Sequence, residues 1–196
     1  LYMEAGLQPG ETVLAHGGAS GVGTAAIQLA SASGNPIFVT SGSSQKVACC
    51  MELGADLAIN YRDHDFAEAV LAHTSGTGVD VILDIVGGDY LQRNLQLLKP
   101  KGRLVLISTL GGIRAEIDLR VLMSKRARII GSILRGRALS EKIQIKQLFM
   151  ERFWALFVEG QLCPVIDSVF PVEQVGAAHQ HMAENRNIGK IVLKIR

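Results

Sequence analysis

Val13-Leu14-Ala15-His16-Gly17-Gly18-Ala19-Ser20-Gly21-Val22-Gly23-Thr24-Ala25-Ala26-Ile27-Gln28-Leu29-Ala30 is the stretch that decides how this chain folds. A short apolar run ends at His16 and gives way to a glycine-rich turn. From about Val22 an amphipathic helix takes over, with Val22, Ala26, Leu29 and Ala30 on one face. Strand, tight turn and helix in that order open a dinucleotide-binding fold. The glycines have separate tasks. Gly18 permits the sharp turn without a Cβ clash, and Gly23 lets the helix pack close to the strand. Between them the N–H groups of the first helical turn have no intrahelical partner. Together with the helix dipole they make a seat for a pyrophosphate. The usual fingerprint has glycine at its middle position; here Ser20 stands there and adds a hydroxyl able to donate to a phosphate oxygen. A structural turn without a ligand is the plainer reading, and the position between strand and helix favours the nucleotide.

Outward from this turn, strands and helices alternate. Leu1–Leu7 reads as the tail of a helix, and Gln8-Pro9-Gly10-Glu11 as a turn. Further strands are expected at Ile37–Thr40, Leu57–Asn60, Val79–Val86, Arg103–Ile107 and Arg128–Leu134. Helices are expected from Lys46 to about Leu53, Asp65–His73, Tyr90–Leu98, Leu119–Lys125 and Ser140–Glu159. This predicts an α/β, Rossmann-type, doubly wound parallel six-stranded sheet with right-handed crossovers. Ile145, Leu148, Phe149, Phe153, Leu156 and Phe157 form an apolar stripe expected in the core. Beyond the sheet, Val165–Phe170 and Ile188–Ile195 alternate like strands, with a helix from Pro171 to about Met182 between them. The domain reading is therefore 1–163 for the dinucleotide-binding domain and 164–196 for a separate C-terminal segment.

With 196 residues there is enough chain for one substantial core. Nearly half the residues, 48%, are hydrophobic, as a parallel sheet buried on both faces requires. The net charge of +2 gives no footprint for nucleic acid. No apolar run reaches membrane-spanning length, and Leu1–Leu7 does not read as a signal peptide. Cys49, Cys50 and Cys163 form no C-x-x-C pair, so neither a zinc site nor a disulfide framework is expected. Buried free thiols in a reducing cytoplasm are the expectation. The five histidines, His16, His64, His73, His179 and His181, are scattered and read as surface or cap residues. Asp84 reads as a hydrogen-bonded structural carboxylate, and no catalytic acid, base or nucleophile is assigned.

The end of the second strand decides which dinucleotide fits. A fold built for NAD usually places an acid there for the ribose 2′-hydroxyl. Ser41–Lys46 contains no acid but three serines and a lysine, which suits a 2′-phosphate and points to NADP(H). Tyr61 and Arg62, at the end of the third strand, adjoin the same pocket. A solvated Lys46 and a surface Tyr61 are the alternative.

The glycine turn, with Glu52-Leu53-Gly54-Ala55-Asp56, Ile59-Asn60-Tyr61, Val79-Asp80-Val81-Ile82-Leu83-Asp84, Gly102-Arg103-Leu104-Val105 and Asn187-Ile188-Gly189-Lys190-Ile191-Val192-Leu193, resembles the NADPH-dependent quinone oxidoreductase (zeta-crystallin-like) branch of the medium-chain dehydrogenase/reductase family. The resemblance covers essentially the whole chain. It implies hydride transfer from NADPH to a quinone or other conjugated carbonyl, without zinc. It implies that Ser20, Gly21 and Val22 hold the pyrophosphate and that Lys46 and Tyr61 bind the 2′-phosphate. By the same resemblance Ser108 and the Ser132–Arg135 segment, with Ser132, Leu134 and Arg135, lie near the nicotinamide, and Asn187 lies where the tail approaches the cofactor. Family members form homodimers by pairing the sixth strand, here Arg128–Leu134, with its symmetry mate. They also begin with a GroES-like catalytic domain that has no counterpart here, so the chain reads as a fragment lacking an upstream part. The tail strands, which return to that domain in the family, are then expected to be disordered, remodelled onto the core or paired between chains. An enoyl reductase or zinc alcohol dehydrogenase relative, and a non-catalytic dinucleotide-binding module, are the alternatives.

Overall fold

The computed structural model describes residues 1–195. Six parallel strands form the central sheet in the order β3-β2-β1-β4-β5-β6. They are β1 (Val13–His16), β2 (Ile37–Ser41), β3 (Leu57–Asn60), β4 (Val79–Asp84), β5 (Leu98–Leu106) and β6 (Arg128–Gly131). The helices α1 (Tyr2–Ala5), α2 (Gly21–Ala32), α3 (Ser44–Glu52), α4 (Phe66–His73), α5 (Tyr90–Leu97) and α6 (Leu119–Lys125) alternate with them, and α7 (Leu139–Val158) follows β6. The expected α/β Rossmann-type sheet is therefore present. The strand order reverses between β1 and β4, so the crevice at their carboxyl ends is where a ligand binds in such a sheet.

The core has two halves, one on each face of the sheet. Val13, Ala15, Val39, Val81 and Leu83 point to the α2 and α3 side, packed by Ala26, Ile27, Ala30 and Cys50. Leu14, Phe38, Ile59, Ile82 and Leu104 point to the other, packed by Phe66, Val70 and Leu95. The alternation along β1 follows from the two-residue period of a strand, and both faces are apolar because both are covered. Arg103 ties the N-terminal segment to β5: its Nε donates to the Ala5 carbonyl at 2.8 Å and its guanidinium pairs with Glu11 at 2.6 Å.

Several expectations are corrected. β4 ends at Asp84, two residues early, because the Asp84 carboxylate accepts from the N–H groups of Val86 (2.6 Å) and Gly87 (3.1 Å) and turns the chain. β6 ends at Gly131, because its neighbour β5 ends at Leu106 and only the Ser132 N–H still reaches it. The α7 stripe is not core. Phe153 alone is buried, against Tyr2 with ring centroids 5.2 Å apart, while Leu148 and Phe157 are exposed. Cys163 is exposed as well, and all three cysteines are free thiols.

The tail gives the clearest correction. β7 (Ile166–Pro171) and β8 (Lys190–Lys194) pair with each other, in parallel, as a separate two-stranded sheet. They are neither disordered nor added to the core sheet. A 3₁₀ turn (Val172–Gln174) and α8 (Val175–Ala183) supply the crossover that parallel pairing needs. Strand backbone must find partners somewhere, and each of these strands is the other's nearest. The tail meets the core sheet's ligand edge through one backbone bond, the Gly189 N–H donating to the Ala19 carbonyl at 2.8 Å, and through side-chain contacts at Lys46 and Gly21.

Candidate dinucleotide site

The turn after β1 is built as a cradle. Gly17, not Gly18, has the left-handed backbone, with φ 72°. Gly18 is needed for space instead, since a Cβ there would lie 2.6 Å from the Cβ of Val39 on β2. At Gly23 a Cβ would lie 2.3 and 2.5 Å from the carbonyl oxygens of Gly17 and Gly18, so only glycine lets α2 approach the turn. Ser20 caps α2, its Oγ accepting from the Gly23 N–H at 3.0 Å. That bond uses the oxygen and leaves the hydroxyl proton free to donate. The N–H groups of Gly21 and Val22 have no acceptor among the described residues. Two free amides and a hydroxyl at the positive end of a helix of 12 residues suit a pyrophosphate.

Lys190 was not foreseen. Its stem lies across Gly21, where a Cβ would be 2.2 Å from Cε and 2.8 Å from Nζ. The ammonium thus stands beside the first residue of α2. Gly189 fixes it there: its φ of 81° and its close approach to the Val165 carbonyl both exclude a side chain. The glycine-lysine pair in the tail was the only signal in the sequence, and its meaning depends on a chain path that the sequence does not show.

At the end of β2 the expected 2′-phosphate residues divide. Lys46 lies in the first turn of α3, with its stem buried. Its Nζ donates to the backbone carbonyl and to Oδ1 of Asn185, each at 2.7 Å. An ammonium has three protons to donate, so one remains. Burial, with the nearby Arg62 guanidinium second, holds the Lys46 pKa below its ordinary value. Tyr61 lies over Gly42, where a Cβ would be 2.6 Å from the phenol oxygen, and its ring is exposed. Lys46, Arg62 and Tyr61 thus gather beside the β2 and β3 ends. Ser41 does not join them: it is buried, with Oγ 3.5 Å from Cys50 Sγ. Ser43 instead caps α3, its Oγ accepting from the Lys46 N–H at 3.3 Å.

The remaining residues lie apart from this group. Ser108 lies in the loop after β5, and that loop bonds to the loop after β4 through Gly111 N–H to Val86 O at 2.7 Å. Ser132 and Leu134 line a groove of about 660 Å³ between α1, α7 and the β6 loop. Ser132 Oγ accepts from Arg137 at 2.9 Å. Arg135 is exposed, and its carbonyl accepts from Lys142 at 3.1 Å. Asn187 lies two residues before the tail's link to the turn, its side chain donating to the Gly189 carbonyl at 3.1 Å.

His16 is neither a surface nor a cap residue: it is fully buried at the end of β1. His181 pairs with Asp167 at 2.8 Å in the tail. Asp84 has the structural role expected of it, accepting from two backbone amides and from Asn94 at 3.1 Å. No group of three or more His, Cys, Asp or Glu among the described residues is arranged to hold a metal ion, and none of their helices is long and apolar enough to cross a membrane.

The zinc-binding dehydrogenase family matches this chain over residues 21–150. Human quinone oxidoreductase is 32% identical over 194 residues, covering 98% of this chain and 57% of that protein. Among solved structures, Escherichia coli quinone oxidoreductase complexed with NADPH superposes with a TM-score of 0.83 at 27% identity, over 95% of this chain and 58% of the other. The CurK enoyl reductase superposes with a TM-score of 0.79 at 35% identity, over 99% of this chain and 57% of the other. The chain spans about half the length of the curated relatives it matches.

Proposed function

This chain belongs to the zinc-binding dehydrogenase family, and on that premise we propose that it is the NADP(H)-binding part of an oxidoreductase that transfers hydride from NADPH to a quinone or another conjugated carbonyl. The observation that carries the reading is the cradle at Gly17–Gly23, with two free amides in front of it and no room for a side chain at Gly23. The residues fit a dinucleotide. Ser20, Gly21, Val22 and Lys190 hold the pyrophosphate; Lys46, Arg62 and Tyr61 receive the 2′-phosphate, with Asn185 yielding Lys46 to it. No acid stands at the end of β2 to repel that phosphate. The nicotinamide, when bound, supplies the hydride. This chain's own residues bind, orient and exclude water. No three His, Cys, Asp or Glu side chains among the described residues are grouped to hold a metal ion, and no step here runs through one.

The substrate class is tested by following NADPH oxidation by the whole protein that carries this chain, first with a quinone and then with an enoyl thioester. Turnover with the quinone, faster with NADPH than with NADH, is expected. Turnover with the enoyl thioester alone favours an enoyl reductase, a reading that the 35% identity to CurK supports. Cofactor binding without turnover on either marks a non-catalytic dinucleotide module.

We also propose a homodimer through β6. One side of β6 pairs with β5, and the other has no strand beside it among the described residues. Ile129 is exposed on this edge. A lysine there blunts strand pairing, so Ile129→Lys is expected to convert a dimer to a monomer in sedimentation velocity. A dimer that survives the change refutes this interface.

A further inference from the structure

A chain of buried polar side chains runs beneath the proposed dinucleotide cleft, and the binding reading makes no use of it. Asn94, on α5, donates from Nδ2 to Asp84 Oδ2 at 3.1 Å, which fixes its amide orientation and turns Oδ1 toward His16. His16 therefore donates from Nε2 to Asn94 Oδ1 at 2.8 Å. Its Nδ1 is then the acceptor and takes the Thr40 hydroxyl proton at 3.1 Å. Thr40 Oγ1 in turn accepts from the Gly17 N–H at 3.3 Å. At the far end Asp84 Oδ1 accepts from Val86 and Gly87. The four bonds from the Gly17 N–H to Asp84 Oδ2 all point the same way, and the Val86 and Gly87 amides meet the carboxylate from the other side.

The setting is dry. Thr40, His16, Asn94 and Asp84 are all at most 1% exposed. The imidazole packs edge-on against Phe66 and Tyr90, with ring centroids 4.9 and 5.0 Å away, and the Arg93 guanidinium covers both of those rings at 4.4 and 4.8 Å. Four buried polar residues between an apolar sheet and its helix α5 are a poor way to gain stability, since any one left unpaired is costly. What they do reach is backbone. The two ends of the chain are loop amides on either side of the β1/β4 crevice, at Gly17 and Gly87. Both residues hold left-handed backbone, with φ 72° and 65°. The β4 loop then holds the β5 loop through Gly111 N–H to Val86 O.

We propose that Thr40, His16, Asn94 and Asp84 form a positioning network that fixes the glycine turn relative to the end of β2 and the loop after β4, and so sets the geometry of the cleft that receives the dinucleotide. The inference rests on the dinucleotide reading. None of the four touches the cofactor in this arrangement. They act through the amides of Gly17, Val86 and Gly87.

Thr40 gives the cleanest test, because valine keeps its shape and removes both of its hydrogen bonds, while serine keeps the hydroxyl. NADPH and NADH titrations of the 196-residue chain are run alongside amide hydrogen exchange at Gly17 without cofactor. Thr40→Val is expected to raise the NADPH Kd and to speed Gly17 exchange by about tenfold each, the worth of the bond from the Gly17 N–H to Thr40 alone. Thr40→Ser is expected to stay close to wild type in both. If Thr40→Val does not fold, Thr40→Ala is read in its place. Faster exchange with an unchanged Kd makes the network structural only and overturns the proposal, as does a valine variant that matches wild type in both. Wild type that binds neither dinucleotide overturns the binding reading itself, and the proposal with it.

Discussion

The central sheet and the tail sheet are made from similar local sequence and end in different states. Every residue of β1 and β2 is buried, whereas β7 and β8 bury no residue, and Val169 and Ile166 stand in solvent. Both pairs are parallel and both are joined through a helix. The difference lies in what covers them. The core strands have helices on two faces, while the tail pair has α8 alone and meets the core sheet's ligand edge through one backbone bond and the side chains of Lys46 and Lys190. Alternation in sequence describes a strand's two faces, and it does not say what will lie against them.

Truncation separates the two sheets most sharply. Ile82→Ala, at a fully buried β4 position, is expected to lower unfolding free energy in urea by about 2–5 kcal/mol. Val169→Ala in the tail is expected to change it by less than about 0.5 kcal/mol. Comparable losses at both positions would erase the distinction.

A second contrast lies where the two regions meet. A Cβ at Gly23 strikes backbone oxygens of the turn, while a Cβ at Gly21 strikes only the flexible end of Lys190 from the tail. Gly23→Ala is expected to cost about 1–3 kcal/mol of stability and to abolish measurable NADPH binding. Gly21→Ala displaces a side chain that can swing away, so its NADPH Kd is expected to rise by only about threefold, well under one tenfold step. Equal loss of binding in the two variants would mean that Lys190 is held as rigidly as the backbone.

A smaller effect sharpens the contrast by pH. Burial pushes the His16 pKa below its ordinary value, against opposing pulls from Asn94 and Asp84, and Arg93 pushes it the same way as burial. The unfolded chain therefore binds a proton that the folded chain refuses. This contribution is fully present above about pH 6.5 and is lost as pH falls, by up to about 1.4 kcal/mol per pH unit. His16→Asn removes it, so between pH 6.5 and 5 the variant's stability is expected to fall less steeply than that of wild type. Parallel slopes would show that His16 takes up its proton in the fold as readily as out of it.

Most of the core sheet was legible in the sequence because its two periods are strong and its breaks are marked by glycine, proline and serine. The elements from β1 to α6 lie within about three residues of their expected bounds, except that β5 starts at Leu98, five residues before Arg103, and runs through the Pro100–Gly102 segment read as a turn. What was hidden is long-range. Two adjacent glycines look alike in sequence, and only the path of the turn makes Gly17 the left-handed one and Gly18 the one pressed against Val39. A lone histidine after an apolar run looks like a cap until Asn94, 78 residues later, takes its ring nitrogen. The α7 stripe shows that a helix has an apolar face, not that another layer covers it. Around the proposed site, the strand–turn–helix path at Gly17–Gly23 and the nearness of Lys46 to the β3 end were legible from the order of the elements. Lys190 and Asn185 were not, because the tail reaches both through its own fold.

Titrating the 196-residue chain with NADPH and with NADH, in wild type and Lys46→Ala, tests the central claim most directly. The Lys46 corner predicts NADPH binding at least about tenfold tighter than NADH, the worth of one charge-assisted phosphate contact. That preference is expected to disappear in Lys46→Ala while NADH binding stays as it was. Equal or tighter binding of NADH by wild type would contradict it.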